Sequence, residues 1–129
     1  MSAAFVMGLG ASSLATVEDA AALCDAVLEE AGVTRADLQA IATLDRRTDH
    51  PALLALGEAL GLPLTGISPK RLRDEEARLE TPSETVAART GLAGIAEAAA
   101  LSLAGPDARL VVPKRARGGV TAALAERAS

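Results

Sequence analysis

Short apolar runs alternate along this chain with longer amphipathic stretches, the arrangement that yields strands and helices in turn. Residues 4–7 read as a first strand, closed by Gly8 and Gly10. Thr16 then has the character of a helix N-cap, with Asp19 placed to answer it at the third helical position. Leu23, Cys24, Val27, Leu28 and Ala31 recur on one helical face, and Gly32 is a natural stop. A short helical turn is expected after Thr34, with Asp37 in it, followed by a second strand at 39–44. Asp49-His50-Pro51 opens a helix to about Gly61, and 63–67 forms a third strand. Ser68-Pro69 reads as a cap with proline at the first helical position. The charged segment 70–80 has a poor register for burial and is expected to be a short exposed helix or a loop.

Ser83 has the character of a cap for a helix running to Arg89, broken at Thr90-Gly91. An alanine-rich helix at 95–103 is suited to close packing, and Gly105-Pro106-Asp107 is a turn. Strands are expected at 109–112 and 119–124, joined by a hairpin-like excursion through 113–118. The sum is an α/β fold: a three-layer α/β/α single domain over residues 1–129, with a mixed, mainly parallel sheet of about five strands.

Composition narrows the function. Half of the 129 residues are apolar, enough for one real core, yet Phe5 is the only aromatic residue. Single-stranded nucleic acid needs several exposed rings, and a net charge of −4 is wrong for a general DNA-backbone binder. No nucleic-acid partner is expected. Cys24 is the single cysteine, which points to a reducing compartment, and the apolar start is too short to span a bilayer. The expectation is a soluble, cytoplasmic protein with no membrane partner.

Four stretches carry candidate chemistry. Gly8-Leu9-Gly10-Ala11-Ser12-Ser13 after a strand is either an anion-contacting loop or a plain connecting turn; the third glycine of a dinucleotide fingerprint is missing. Thr43-Leu44-Asp45-Arg46-Arg47-Thr48-Asp49-His50 crowds polar side chains where ligands sit beyond strand ends, or is a solvated loop with a capped helix. His50 beside proline at a helix start reads as a cap. Asp45, Asp49 and His50 have no metal-ligand spacing, and neither a metal nor a cofactor is expected. Thr81-Pro82-Ser83-Glu84 with Thr90 offers hydroxyls and a helix start of carboxylate size, or is an ordinary helix start. Pro113-Lys114-Arg115-Ala116-Arg117-Gly118-Gly119 gathers three cations in an acidic protein, suited to carboxylates or to a solvated hairpin tip. Cys24, on an apolar helical face, reads as a small buried hydrophobe.

Taken in order, these stretches resemble the family of the CobE and CbiG C-terminal domains over nearly the whole chain. Gly8-Leu9-Gly10, Ala42-Thr43-Leu44-Asp45, Arg47, Asp49-His50-Pro51 and Leu60-Gly61-Leu62-Pro63 follow the family pattern. So do Thr81-Pro82-Ser83-Glu84, Thr90-Gly91, Ala96-Glu97-Ala98-Ala99-Ala100-Leu101, Val112-Pro113-Lys114-Arg115 and Val120-Thr121-Ala122-Ala123. The chain departs from it at Ala11-Ser12, where relatives often carry cysteine and a basic residue, and at Arg47, where they favour lysine.

The resemblance implies a place in cobalamin synthesis. CbiG-type relatives open a lactone on a cobalt-containing precorrin and carry further N-terminal domains; this chain is expected to be of the stand-alone CobE type. The leading expectation is a binding or carrier module for a corrin or precorrin intermediate, with pathway enzymes as further partners. Lys114, Arg115 and Arg47 would meet ring carboxylates, while Gly10, Thr43, Ser83, Glu84, Thr90 and helix N-termini would supply the surrounding contacts. Asp45 and Glu97 would accept from a ring N–H or amide, or orient a cation. Two alternatives stand beside it: a hydrolase-type enzyme acting on a precorrin ring with Asp45 or Glu97 as general acid or base, and an accessory subunit of a pathway methyltransferase.

Overall fold

The computed structural model describes residues 4–75, 78 and 94–128. Its strands are β1 (Phe5–Ala11), β2 (Leu38–Leu44), β3 (Leu64–Ile67), β4 (Arg109–Arg117) and β5 (Val120–Glu126). Its helices are α1 (Val17–Ala31), α2 (Pro51–Leu60), α3 (Pro69–Asp74) and α4 (Ile95–Ala104), with single 3-10 turns at Arg35–Asp37 and Asp45–Arg47. One five-stranded sheet has the order β3-β2-β1-β5-β4. The β1–β2 and β2–β3 ladders are parallel, and β1–β5 and β4–β5 are antiparallel. Four strands therefore point one way and β5 alone opposes them.

The helix ends follow the sequence. Thr16 Oγ1 accepts from Asp19 N at 3.2 Å, and Gly32 closes α1 in the left-handed region at φ 74°. His50 caps α2 through its ring, and Ser68 caps α3 ahead of Pro69. The segment expected to be exposed is anchored by one side chain, since Leu72 of α3 is buried.

Alternation sorts the side chains into three layers. Met7, Leu9, Ile41, Ala122 and Leu124 pack against α1 and α2 through Leu23, Val27, Leu53 and Leu56. The other face carries α4: Ala42, Leu44 and Ile67 meet Ala98 and Ala99, with Leu72 of α3 beside them, and Ala125 meets Ala100 and Leu101. Every residue of α4 from Ala96 to Ser102 is buried, so its sequence carries no polar stripe. Two arginines hold its far end: Arg71 donates to Ser102 O at 3.2 Å, and Arg78 donates to Gly105 O at 3.1 Å and Ala108 O at 2.6 Å. Cations there satisfy carbonyls at the negative end of the helix.

Two expectations are corrected. Gly8 and Gly10 do not close the first strand; they lie inside β1, which runs on to Ala11. Glycine in a strand usually marks a bend, but here it makes room. A Cβ on Gly8 would stand 1.8 Å from Ala96 O and 2.6 Å from Ala100 N. The second correction concerns the basic run, which is strand rather than excursion: β4 continues to Arg117, and only Gly118-Gly119 turns. Gly118 has φ 57°, as a two-residue hairpin requires. Among the described residues no helix is long and apolar enough to cross a membrane.

The close approach at Gly8 has a measurable cost. Gly8→Ala forces backbone against backbone and is expected to destabilise by about 3 kcal/mol or more. Gly32→Ala meets nothing within 4 Å and costs only left-handed strain, about 1–2 kcal/mol. Urea unfolding of both variants checks the order; equal losses would contradict it.

Candidate functional site

The C-terminal end of β1, the start of α4 and the β4–β5 hairpin converge on a cavity of about 280 Å³. Its walls are Gly10, Ala11, Ser12, Gly94, Ile95, Lys114, Gly119 and Thr121. Three of these eight are glycines, so much of the wall is backbone. Gly94 enters α4 in the left-handed conformation at φ 58° and, as a glycine, brings no side chain of its own to cap that end. The positive end of the helix and the cationic residue Lys114 thus border one space, an arrangement that favours a carboxylate.

Lys114 owes its position to an irregularity in β4. Val112 pairs with Leu124 and Arg115 with Ala122, so three steps along β4 match two along β5. The extra residue makes a bulge on an edge strand, where Pro113 lacks nothing by having no N–H. The backbone N–H of Lys114, freed by the bulge, donates to Glu97 Oε2 at 2.8 Å. Glu97 is wholly buried on α4. A carboxylate on the helix therefore holds the strand that carries the cation.

A second cavity of about 370 Å³ lies beside the first, bordered by Ser13, Ala15, Arg47, Asp49, His50 and Pro51. His50 Nδ1 accepts from Ala52 N at 3.1 Å, which leaves the ring proton on Nε2. Nε2 donates to Ser12 O at 2.7 Å and ties α2 to the turn after β1. Ser12 N in turn donates to Gly119 O at 2.8 Å, so the same turn is fixed to the hairpin.

The candidate residues separate accordingly. Gly10 and Lys114 line the first cavity and Arg47 the second. Arg115 is on the other side of the sheet: with Arg117 it pairs opposite Ala122 and Val120, and its guanidinium grips Glu30 of α1 in a two-point bond, Nε to Oε1 at 2.9 Å. Thr43 is buried, and its hydroxyl donates to Leu9 O at 2.7 Å, just past the last paired residues of β1 and β2. Asp45 is exposed in the 3-10 turn, its carbonyl accepting from Thr48. Neither Thr43, Asp45 nor Glu97 lines either cavity. Ser83, Glu84 and Thr90 lie outside the described residues, as does the expected helix from Ser83 to Arg89. Ile95 and Thr121 are wall residues that the sequence does not single out as candidates. Their signal is indirect, since they flank the glycines that open the space.

Cys24 is buried against the sheet, and burial pushes its thiol up to about 11, with Asp25 adding to the effect. It is a packed hydrophobe rather than a nucleophile. Among the described residues no group of His, Cys, Asp or Glu could hold a metal ion.

The chain matches the family described as cobalamin synthesis G C-terminus over residues 5–125. It is 42% identical over 123 residues to Protein CobE of a Sinorhizobium species, covering 95% of this chain and 80% of that one. It is 26% identical over 119 residues to the cobalt-precorrin-5A hydrolase of Priestia megaterium, covering 92% of this chain but spanning only 31% of the hydrolase. The crystal structure of CobE, a protein from the cobalamin biosynthetic pathway, superposes with a TM-score of 0.91 at 34% identity, over 99% of this chain and 93% of that one.

The separation of the cations is open to titration. Hydrogen bonds from Arg115 hold the Glu30 carboxyl below the ordinary carboxylate range. A depressed folded value means that the pair supports the fold above that range and ceases to as pH falls through the folded value. In an NMR titration Glu30 is expected to titrate low in the parent protein and to return to the ordinary range in Arg115→Ala. The Cys24 thiol is expected to stay unmodified by thiol reagents at pH 8 until denaturant is added, because burial keeps it protonated.

Proposed function

The chain belongs to the cobalamin synthesis G C-terminus family and is a protein of cobalamin biosynthesis, and from that premise we propose that it binds a corrin or precorrin intermediate as a carrier. The observation that carries this reading is the meeting of Lys114 and the glycine-led start of α4 at a small, glycine-walled cavity. Precorrins and corrins bear acetate and propionate arms around an extended ring. A space of about 280 Å³ is too small for such a ring and suits one arm with the adjoining edge. The remainder would rest on the rim, where Arg47 borders the neighbouring cavity.

Carriage rather than catalysis is supported by the carboxylates. A general acid or base must reach the reacting group. Of the two carboxylates considered for that role, Glu97 is buried and bonded to the Lys114 backbone, and Asp45 lines neither cavity. Among the described residues Lys114 and Arg47 enter no ion pair, so each keeps its charge for a ligand. Pathway enzymes are the partners that would receive such a ligand.

An absorbance titration with late precorrins and hydrogenobyrinic acid tests the reading, with haem and NAD as controls. Saturable, corrin-selective binding with the ligand recovered unchanged is expected. Conversion of the ligand would make the protein an enzyme, and no binding would turn the case to a protein partner. Lys114→Ala is expected to weaken binding by roughly tenfold, the loss of one charge-assisted contact. Arg115→Ala, on the opposite face, should leave affinity within about twofold.

A further inference from the structure

Leu14 is 85% exposed, far more than Leu54, the other exposed large apolar side chain among the described residues. A lone exposed leucine is ordinary; the setting of this one is not. It sits on the turn after β1, whose backbone is held at Ser12, Leu14 and Ala15. Ser12 N donates to Gly119 O, Ala15 N donates to Ser12 O at 3.1 Å, Leu14 N donates to Ser12 Oγ at 3.3 Å, and His50 Nε2 donates to Ser12 O. Gly119 fills the space beneath, where even a Cβ would stand 2.3 Å from Ser12 Oγ and 3.1 Å from Ala15 N. The turn has no room to fold inward and bury the leucine.

The same turn borders both cavities. Ser12 walls the one that holds Lys114, while Ser13 and Ala15 wall the one that holds Arg47. Leu14 thus stands exposed on a turn that contributes walls to two cavities, each with a cation that enters no described ion pair. The charge pattern fits a flat, partly apolar body with anionic arms on more than one side of its rim. We propose that Leu14 is a ligand-contacting residue: the apolar face of the ring lies across it, with one carboxylate arm reaching Lys114 and another reaching Arg47. The inference rests on the carrier reading above and adds to it a bridging pose and an apolar anchor.

Hydrogenobyrinic acid is the probe, titrated into the parent protein, Leu14→Ser, Leu14→Met and Arg47→Ala. Removing a side chain that becomes buried only on binding should weaken affinity by ~10-fold in Leu14→Ser without altering thermal stability. Leu14→Met should restore affinity to within about twofold, and Arg47→Ala should weaken it as Lys114→Ala does. The chain has no Trp or Tyr, so Leu14→Trp supplies a single fluorophore whose emission should be quenched by the bound ring. If the parent binds and Leu14→Ser binds equally well, the Leu14 contact is overturned while the carrier reading stands. Loss of association with a pathway enzyme in Leu14→Ser, at unchanged corrin affinity, would overturn it in favour of a protein contact. If the parent does not bind, the carrier reading falls and this inference falls with it.

Discussion

Ala96 O of α4 lies where a side chain on Gly8 of β1 would have to be, and much of the molecule follows from that approach. A helix usually rides on a sheet at the distance set by interlocking side chains. Here the strand offers none at Gly8, and the facing stretch of helix is built of Ala96, Ala98, Ala99 and Ala100, all buried. Small residues exchange side-chain volume for proximity, so contact is made backbone to backbone and dispersion replaces bulky burial. That explains how a chain with one aromatic residue closes a core at all. It also fixes the height and direction of α4, whose opposite end is held by Arg71 and Arg78.

With α4 set so low, its first turn comes level with the sheet's strand ends. Gly94 and Ile95 then border the same space as Gly10 of β1, and Glu97 reaches the bulge in β4. Among the described residues, strand ends, a helix start and a hairpin meet at one corner. Its mobile-looking parts, the turn after β1 and the Gly118-Gly119 hairpin, are bonded to each other through Ser12 and Gly119 and to α2 through His50. Under the carrier reading, a corner tied in this way would spare a ligand the cost of ordering these elements.

The helices and most strand positions were legible because their signals are local: the Thr16 cap, the Gly32 stop, His50-Pro51 and Ser68-Pro69 each act within a turn of the chain. What the sequence concealed depends on partners far away. Gly8 looks like a strand's end until the helix that demands it, some ninety residues on, is in place, and Gly10 until Thr121 of β5 lies beside it. The cations at 114–117 read as a single cluster for the same reason. Adjacent residues of a strand face opposite ways, and only the register of β4 on β5 tells which of them faces α4. Thr43 looked free to bind a ligand, but it completes the seam where β1 and β2 part.

The sorting of that basic run has a consequence for how charge is used. Arg115 and Arg117 turn to α1, where Glu30 and Asp19 neutralise them and clamp the hairpin onto the helix. Their exposed pairs add little to stability by themselves, yet they fix where the hairpin ends and so where Gly119 and Ser12 meet. The bulge at Pro113-Lys114 breaks the alternation by one residue and sends a single cation to the other side. In a regular strand the alternation set at Val112 would put Lys114 on the α1 face and turn Arg115 and Arg117 to the α4 side. The bulge, held by a buried carboxylate, thus parts Lys114 from the two arginines that clamp the hairpin to α1.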